Sequence, residues 1–305
     1  MSLLSVVLPA FNEEAMLPKT VEVLGDILSQ AGIDHELIFV DDGSRDHTWQ
    51  IICDAAKAEP RVHGIHFSRN FGKEAAIFAG LAEASGDCVA VMDCDLQHPA
   101  EVLVQMYRLW EQGFEVVEGI KRSRGKESLF HRLSAGTFYK LMTRATGFDM
   151  SRASDFKLLD RKAVDAVLEL PERNSFFRAQ SSWIGFRATE IEFDVREREA
   201  GTSKWSTFGL IKYAVSNIVG YSTLPMQFVT GAGLIFLVIA IALSIQTLVH
   251  YLTGNAVEGF TTVILLLLII GSILMISLGI IGYYISRIFQ EVQGRPKYII
   301  SKKTQ

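Results

Sequence analysis

Along the first 120 positions, short apolar runs alternate with segments in which apolar residues return every third or fourth position. The runs lie near residues 3–8, 36–40, 62–67, 88–92 and 115–120. They predict strands with helices between them, the alternation of a parallel, doubly wound α/β sheet. After Gly147 the pattern becomes irregular, with strands expected at 155–159 and 187–193 and a helix at 161–168. There is no internal repeat and no low-complexity segment.

The C-terminal third has a different pattern. No Asp, Glu, Lys or Arg lies between Lys212 and Glu258, or between Glu258 and Arg287. A bilayer core of about 30 Å needs about 20 apolar residues per helix, and each interval holds more. The spans are expected near Leu224 to Leu252 and Phe260 to Ser286. Runs such as Val263 to Ile270 are apolar all round, unlike the one-sided stripe of a soluble helix. A hydrophobic content of 49% and a mean hydropathy of +0.23 agree with such spans.

Charge supplies the orientation. Lys204 and Lys212 precede the first span; Arg287, Arg295, Lys297, Lys302 and Lys303 follow the second; the connection Thr253 to Glu258 has no basic residue. The positive-inside rule therefore puts both termini in the cytosol, as a multi-pass protein of a cytoplasmic membrane. The first apolar run is too short for a signal peptide and lacks a basic leader. Cys53, Cys88 and Cys94 suit a reducing compartment and have no zinc-ligand spacing.

The net charge of −4 averages over a basic stretch, Lys121-Arg-Ser-Arg-Gly-Lys126. Beyond it, Phe130, Leu133, Phe138, Leu141 and Met142 recur at helical spacing opposite His131, Arg132, Lys140 and Arg144. A basic amphipathic helix over about 128–146 fits an anionic lipid surface, and equally a helix packed on the globular domain. A second such helix, about 205–220, leads into the first span. The expected organisation is a cytosolic domain at 1–220, a two-helix membrane domain at 221–290 and a basic cytosolic tail at 291–305.

The candidate chemistry sits where strands end. Asp93 and Asp95 close the fourth run, Asp41 and Asp42 close the second, and Pro9-Ala-Phe-Asn-Glu13 closes the first. Ligands of open α/β sheets bind at the carboxyl ends of strands. Two carboxylates one residue apart there suit a hard divalent cation, Mg2+ or Mn2+, with a substrate diphosphate. Capping explains part of this pattern: an Asx-turn accounts for one of Asp41 and Asp42 more readily than for both. His98, before a proline, is better read as a bystander than as a metal ligand.

Five motifs in order carry a resemblance: Pro9-Ala-Phe-Asn-Glu13, Val40-Asp-Asp-Gly-Ser44, Asp93-Cys-Asp-Leu-Gln97 with Pro99, Ser154-Asp-Phe-Lys157, and Arg198-Glu-Ala-Gly-Thr-Ser-Lys204. Together with two C-terminal spans, they resemble the polyprenyl-phosphate glycosyltransferases of family 2, similar to dolichyl-phosphate mannose synthase and the bactoprenol glucosyltransferases. The resemblance implies a GT-A, Rossmann-like nucleotide-sugar-binding domain. It also implies inverting transfer of one sugar from a nucleotide sugar, with UDP the expected carrier, to undecaprenyl phosphate at a bacterial inner membrane.

On that reading Pro9, Phe11, Glu13, Asp41 and Asp42 border the nucleoside. Asp93 and Asp95 meet the diphosphate through the metal, and Gln97 helps hold the donor. Arg122, Arg198 and Lys204 engage phosphate, and Asp155 stands where the bacterial branch has a catalytic base. A lipid phosphate is already mostly dianionic at neutral pH, so Asp155 is expected chiefly to orient it, or else to accept the proton of the residual monoanion. Irregular alternation after Gly147 fits an acceptor-binding part.

The nearest string to the Gln-x-x-Arg-Trp of processive synthases is Gln180-Ser-Ser-Trp183, which favours single transfer. Another lipid acceptor, such as diacylglycerol or ceramide, is one alternative; a non-catalytic membrane scaffold is another, opposed by intact Asp42, Asp93, Asp95 and Asp155. Membrane lipids are expected partners and nucleic acid is not. Gly231, Gly233, Gly271 and Gly279 leave a homo-oligomer through the spans open.

Overall fold

The structure, a computed structural model, describes residues 2–122, 154–172, 176–194, 224–253 and 259–304. The first apolar run forms β1, Leu3–Ala10, followed by α1, Leu17–Gln30. Then come β2 at Asp34–Asp41, α2 at Thr48–Ala58, β3 at Val62–Phe67 and α3 at Lys73–Glu83. Next are β4 at Cys88–Val91, α4 at Ala100–Glu111 and β5 at Val116–Lys121. The later part adds β6 at Lys157–Asp160, α5 at Arg161–Glu169, α6 at Phe177–Trp183 and β7 at Ala188–Phe193. Two long helices, α7 at Leu224–Leu252 and α8 at Phe260–Val292, precede β8, Ile300–Lys303.

The strands join in one sheet, β7-β5-β6-β4-β1-β2-β3-β8. The apolar runs of the central strands β1, β2 and β4 are continuous because both faces are covered. Leu4, Val6 and Leu8 of β1 pack into one core with Leu37, Phe39, Ala90, Leu24 and Leu103. Val7 faces the opposite core with Ile38, Val40, Val89, Val91, Ile77 and Phe177. Helix α3 lies so close that a Cβ on Gly80 would stand 2.2 Å from Val7 Cγ1.

The expectation of an all-parallel sheet is corrected: β6 inserts antiparallel between β4 and β5, and β8 adds antiparallel to β3. Apolar patterning specifies a buried strand but not its direction. Asp160 ends β6 and caps α5 by accepting the Lys162 N–H at 3.0 Å.

The chain divides into two units, Met1–Gly209 with Arg295–Gln305, and Leu210–Gly294. The tail is therefore more than a charged extension. Tyr298 stacks on Phe67 with centroids 5.1 Å apart, Ser68 N–H donates to the Ile299 carbonyl at 3.0 Å, and Lys303 meets Glu83 at 2.6 Å. Within the second unit, α7 matches the expected first span and α8 runs six residues beyond the expected end at Ser286 (292 − 286 = 6). Segments Val229–His250 and Ile269–Val292 are long and apolar enough to cross a membrane. The amphipathic helices expected at about 128–146 and 205–220 lie outside the described residues.

Candidate active site

Strand direction gathers the motifs at one edge. Because β1 pairs in parallel with both β2 and β4, the ends carrying Phe11, Asp42 and Asp93 are neighbours. Strand β6 runs the other way, with Lys157 opposite Val91, so Asp155 just before it reaches that edge too. Strand β5, antiparallel to β6, brings Arg122 there from its own carboxyl end.

The turns after β1 and β2 brace each other. Asn12 N–H donates to Ser44 Oγ at 2.9 Å, Glu13 N–H to Thr48 Oγ1 at 2.9 Å, and Arg45 N–H to Asn12 Oδ1 at 2.9 Å. Asn12 adopts φ +54°, a left-handed conformation that Asn tolerates better than most residues. The acidic pair after β2 then divides its work. Asp41 is fully buried; Oδ1 accepts the Ser44 N–H at 2.9 Å and Oδ2 meets His66 Nδ1 at 2.7 Å, so this is the turn-forming partner. Asp42 accepts the N–H groups of Phe71 at 2.6 Å and Gly72 at 2.9 Å. Burial raises its carboxyl from the ordinary value against the pull of those two bonds.

Asp42 thereby fixes the loop that starts α3, and α3 begins with the decisive side chain. Lys73 Nζ lies 2.6 Å from Asp93 Oδ1 and 2.8 Å from Asp155 Oδ2. Asp155 is also held by Arg178, Nε to Oδ1 at 2.6 Å and Nη2 to Oδ2 at 2.9 Å. Burial alone would raise the Asp155 carboxyl; the Lys73 ammonium and the Arg178 guanidinium reverse this and hold it far below the usual carboxylate range. Asp93 is lowered as well, its burial outweighed by Lys73.

Below this layer, fully buried Lys157 pairs with Glu118 and donates to Ser181 Oγ at 2.9 Å, tying α6 to the sheet and so placing Arg178. Glu74, beside Lys73, accepts the Phe177 N–H at 2.9 Å. Burial first, and then the neighbouring Asp155, push its carboxyl up to about 7.

Asp95 Oδ1 accepts the Gln97 N–H at 3.2 Å, and Leu96 between them has φ +52°. Pro9, Phe11 and Glu13 border the same edge, half-buried. His98 is a packing residue: it stacks on Phe156 at 4.8 Å and meets Phe193 edge-on, and burial lowers its pKa. Arg122 turns toward β7, with Glu192 and Asp194 each at 3.5 Å. Arg198 and Lys204 lie outside the described residues.

Lys73, Arg178 and Glu74 carry no motif in the sequence. Lys73 has one signal: a lysine directly after a loop glycine opens a helix against its dipole, which needs nearby anions to offset it. Arg178, in Phe176-Phe-Arg178, has none.

Among the described residues, no three His, Cys, Asp or Glu side chains form a metal-ligand set. Two carboxylates suffice for Mg2+ or Mn2+, which takes its remaining ligands from water and substrate phosphates. Asp93 fits such an ion, being one-third exposed and already gathering a cation.

The family model described as glycosyl transferase family 2 matches residues 5–168. The chain belongs to that family. It is 36% identical over 301 residues to the SfII prophage-derived bactoprenol glucosyl transferase of Shigella flexneri, covering 98% of this chain and 97% of the relative. It is also 36% identical over 304 residues to the uncharacterized glycosyltransferase YkcC of Bacillus subtilis, covering 98% and 93%. A crystal structure of glucosyl-3-phosphoglycerate synthase from Mycobacterium tuberculosis with Mn2+, uridine-diphosphate and phosphoglyceric acid matches at TM-score 0.51 and 21% identity, covering 72% of this chain and 77% of that one. This likeness concerns the fold, and the family 2 chain has the GT-A-like mixed α/β sheet.

Proposed function

We propose that this family 2 glycosyltransferase moves a single sugar, with inversion, from a UDP-linked donor to the phosphate of a membrane polyprenyl phosphate such as undecaprenyl phosphate. The observation that carries the reading is the meeting of Asp42, Asp93 and Asp155 at one sheet edge, in a chain that also has two helices long enough to span a bilayer. Relatives of nearly equal length named bactoprenol glucosyl transferase support the acceptor class. Mn2+ and UDP in a structure of the same fold support the donor and the ion.

In this mechanism, a phosphate oxygen of the lipid attacks the anomeric carbon, the bond from that carbon to the diphosphate breaks, and nucleoside diphosphate departs. Asp93 and Asp95 would hold Mg2+ or Mn2+, which as a Lewis acid supplies charge stabilisation to the leaving diphosphate. The nucleophile is already dianionic, with a second pKa near 6, so no proton need be taken from it. Asp155, kept ionised by Lys73 and Arg178, positions those cations rather than accepting a proton. Asp42 sets the 69–72 loop beside the nucleoside, and Pro9, Phe11, Glu13 and Gln97 line the donor side. Arg122, Arg198 and Lys204 serve phosphate. The two apolar helices would tether the chain to the membrane that carries the acceptor, with both termini cytosolic, which raises the effective concentration of the acceptor.

The test is release of nucleoside diphosphate by the detergent-solubilised protein across a panel of nucleotide sugars, with and without undecaprenyl phosphate. Turnover requiring the lipid phosphate and one donor, and abolished by chelation or by Asp95→Asn, is the expected result. Turnover with diacylglycerol or ceramide instead would move the acceptor to another lipid class.

A further inference from the structure

Lys73 is placed against its own helix. Its ammonium stands at the positive end of α3, which disfavours a cation there. Two carboxylates from different strands offset the cost, Asp93 at 2.6 Å and Asp155 at 2.8 Å. The backbone leading into it is fixed from the donor side, because Gly72, at φ +101°, gives its N–H to Asp42.

The two carboxylates differ in what else they hold. Asp155 is 7% exposed and has Arg178 as a second cation. Asp93 is 33% exposed, and among the described residues Lys73 is its one ion-pair partner. An ion arriving from solvent therefore meets Asp93, and meets it already neutralised. Lys73 can release Asp93 and still keep Asp155 under the same helix start.

We propose that Lys73 is a placeholder cation that neutralises Asp93 before the donor binds, competes with the divalent ion for that carboxylate, and stays on Asp155 as a positioning residue once the ion has taken over. The inference rests on the metal-assisted transfer argued above. Its consequence is coupled binding: the ion alone must displace an ammonium, whereas an ion arriving with a diphosphate brings anionic oxygens for the displaced charge to face.

Mn2+ binding to the full-length protein in detergent, without nucleotide and followed by the electron paramagnetic resonance of free Mn2+, separates this from a merely structural role. Lys73→Met is expected to bind Mn2+ roughly tenfold more tightly than wild type, a size between those of exposed and buried charge pairs, while its kcat falls. Lys73→Arg keeps the charge and is expected to bind Mn2+ no more tightly than wild type; it supplies the opposite sign if Lys73→Met does not fold. Unchanged or weaker Mn2+ binding by folded Lys73→Met, or tighter binding by Lys73→Arg, overturns the proposal. Wild type lacking lipid-dependent turnover would instead overturn the transferase reading, with the Mn2+ comparison still standing as a separate measurement.

Discussion

Arg178 and Asp155 are joined by two parallel hydrogen bonds across 23 residues of chain, Nε to Oδ1 at 2.6 Å and Nη2 to Oδ2 at 2.9 Å. A carboxylate gripped in this way and bridged by Lys73 gives up its charge only in strong acid. Asp155→Asn leaves Arg178 and Lys73 facing each other without their shared anion. Turnover should drop about a hundredfold through misplacement of the site, and stability by about 3 kcal/mol, as when a buried pair loses one partner. Raising the pH should not restore activity; restoration in a kcat profile to pH 10 would make Asp155 a base. Because its folded pKa lies below the ordinary 3.8, its stabilising contribution is full above that pH and is lost as the pH falls further.

Glu74 has the opposite sign. Its carboxyl is raised from 4.5 to about 7, so the folded state binds the proton more tightly than the unfolded chain. That contribution is present below pH 4.5 and is lost as the pH rises through about 7. Glu74→Gln keeps an oxygen for the Phe177 N–H without the charge. The variant should gain about 1–2 kcal/mol over wild type at pH 8, and almost nothing at about pH 4, in denaturant unfolding.

Gly43 has φ +68°, and a Cβ there would stand 2.5 Å from the Arg69 carbonyl carbon and 2.8 Å from Asn70 N. Both are backbone atoms of the loop that Asp42 holds, so the loop must move. Gly43→Ala should raise KM for the nucleotide sugar more than KM for the lipid. Equal effects on both would separate this loop from the donor.

Tyr298 tests whether the tail belongs to the catalytic unit. Its ring stacks on Phe67 beside the β3–β8 pairing. Tyr298→Ala should cost about 2 kcal/mol from lost burial and stacking. A melting temperature unchanged from wild type would make the tail a passive extension.

The place of Asp42, Asp93 and Asp95 at the sheet edge was legible because each follows an apolar run, and a strand end is where a parallel sheet exposes its ligands; Asp155 was singled out only by the family resemblance. The two long apolar helices were legible because uncharged length alone marks them. The division of labour between Asp41 and Asp42 was half legible: one of the pair was expected to make a turn, but only contacts with Ser44, His66, Phe71 and Gly72 assign which.

The sequence by itself therefore determined seven of the eight strands, the two apolar helices, the family and the acidic edge, since periodicity and uncharged length are local properties and β8, in the basic tail, has no apolar run. Tertiary structure decided the direction of β6, the return of the tail to β3, and the cations Lys73 and Arg178 on Asp155. Those depend on pairing across 23 to 240 positions of chain. A single lysine or arginine has no periodicity that announces which carboxylate it will meet.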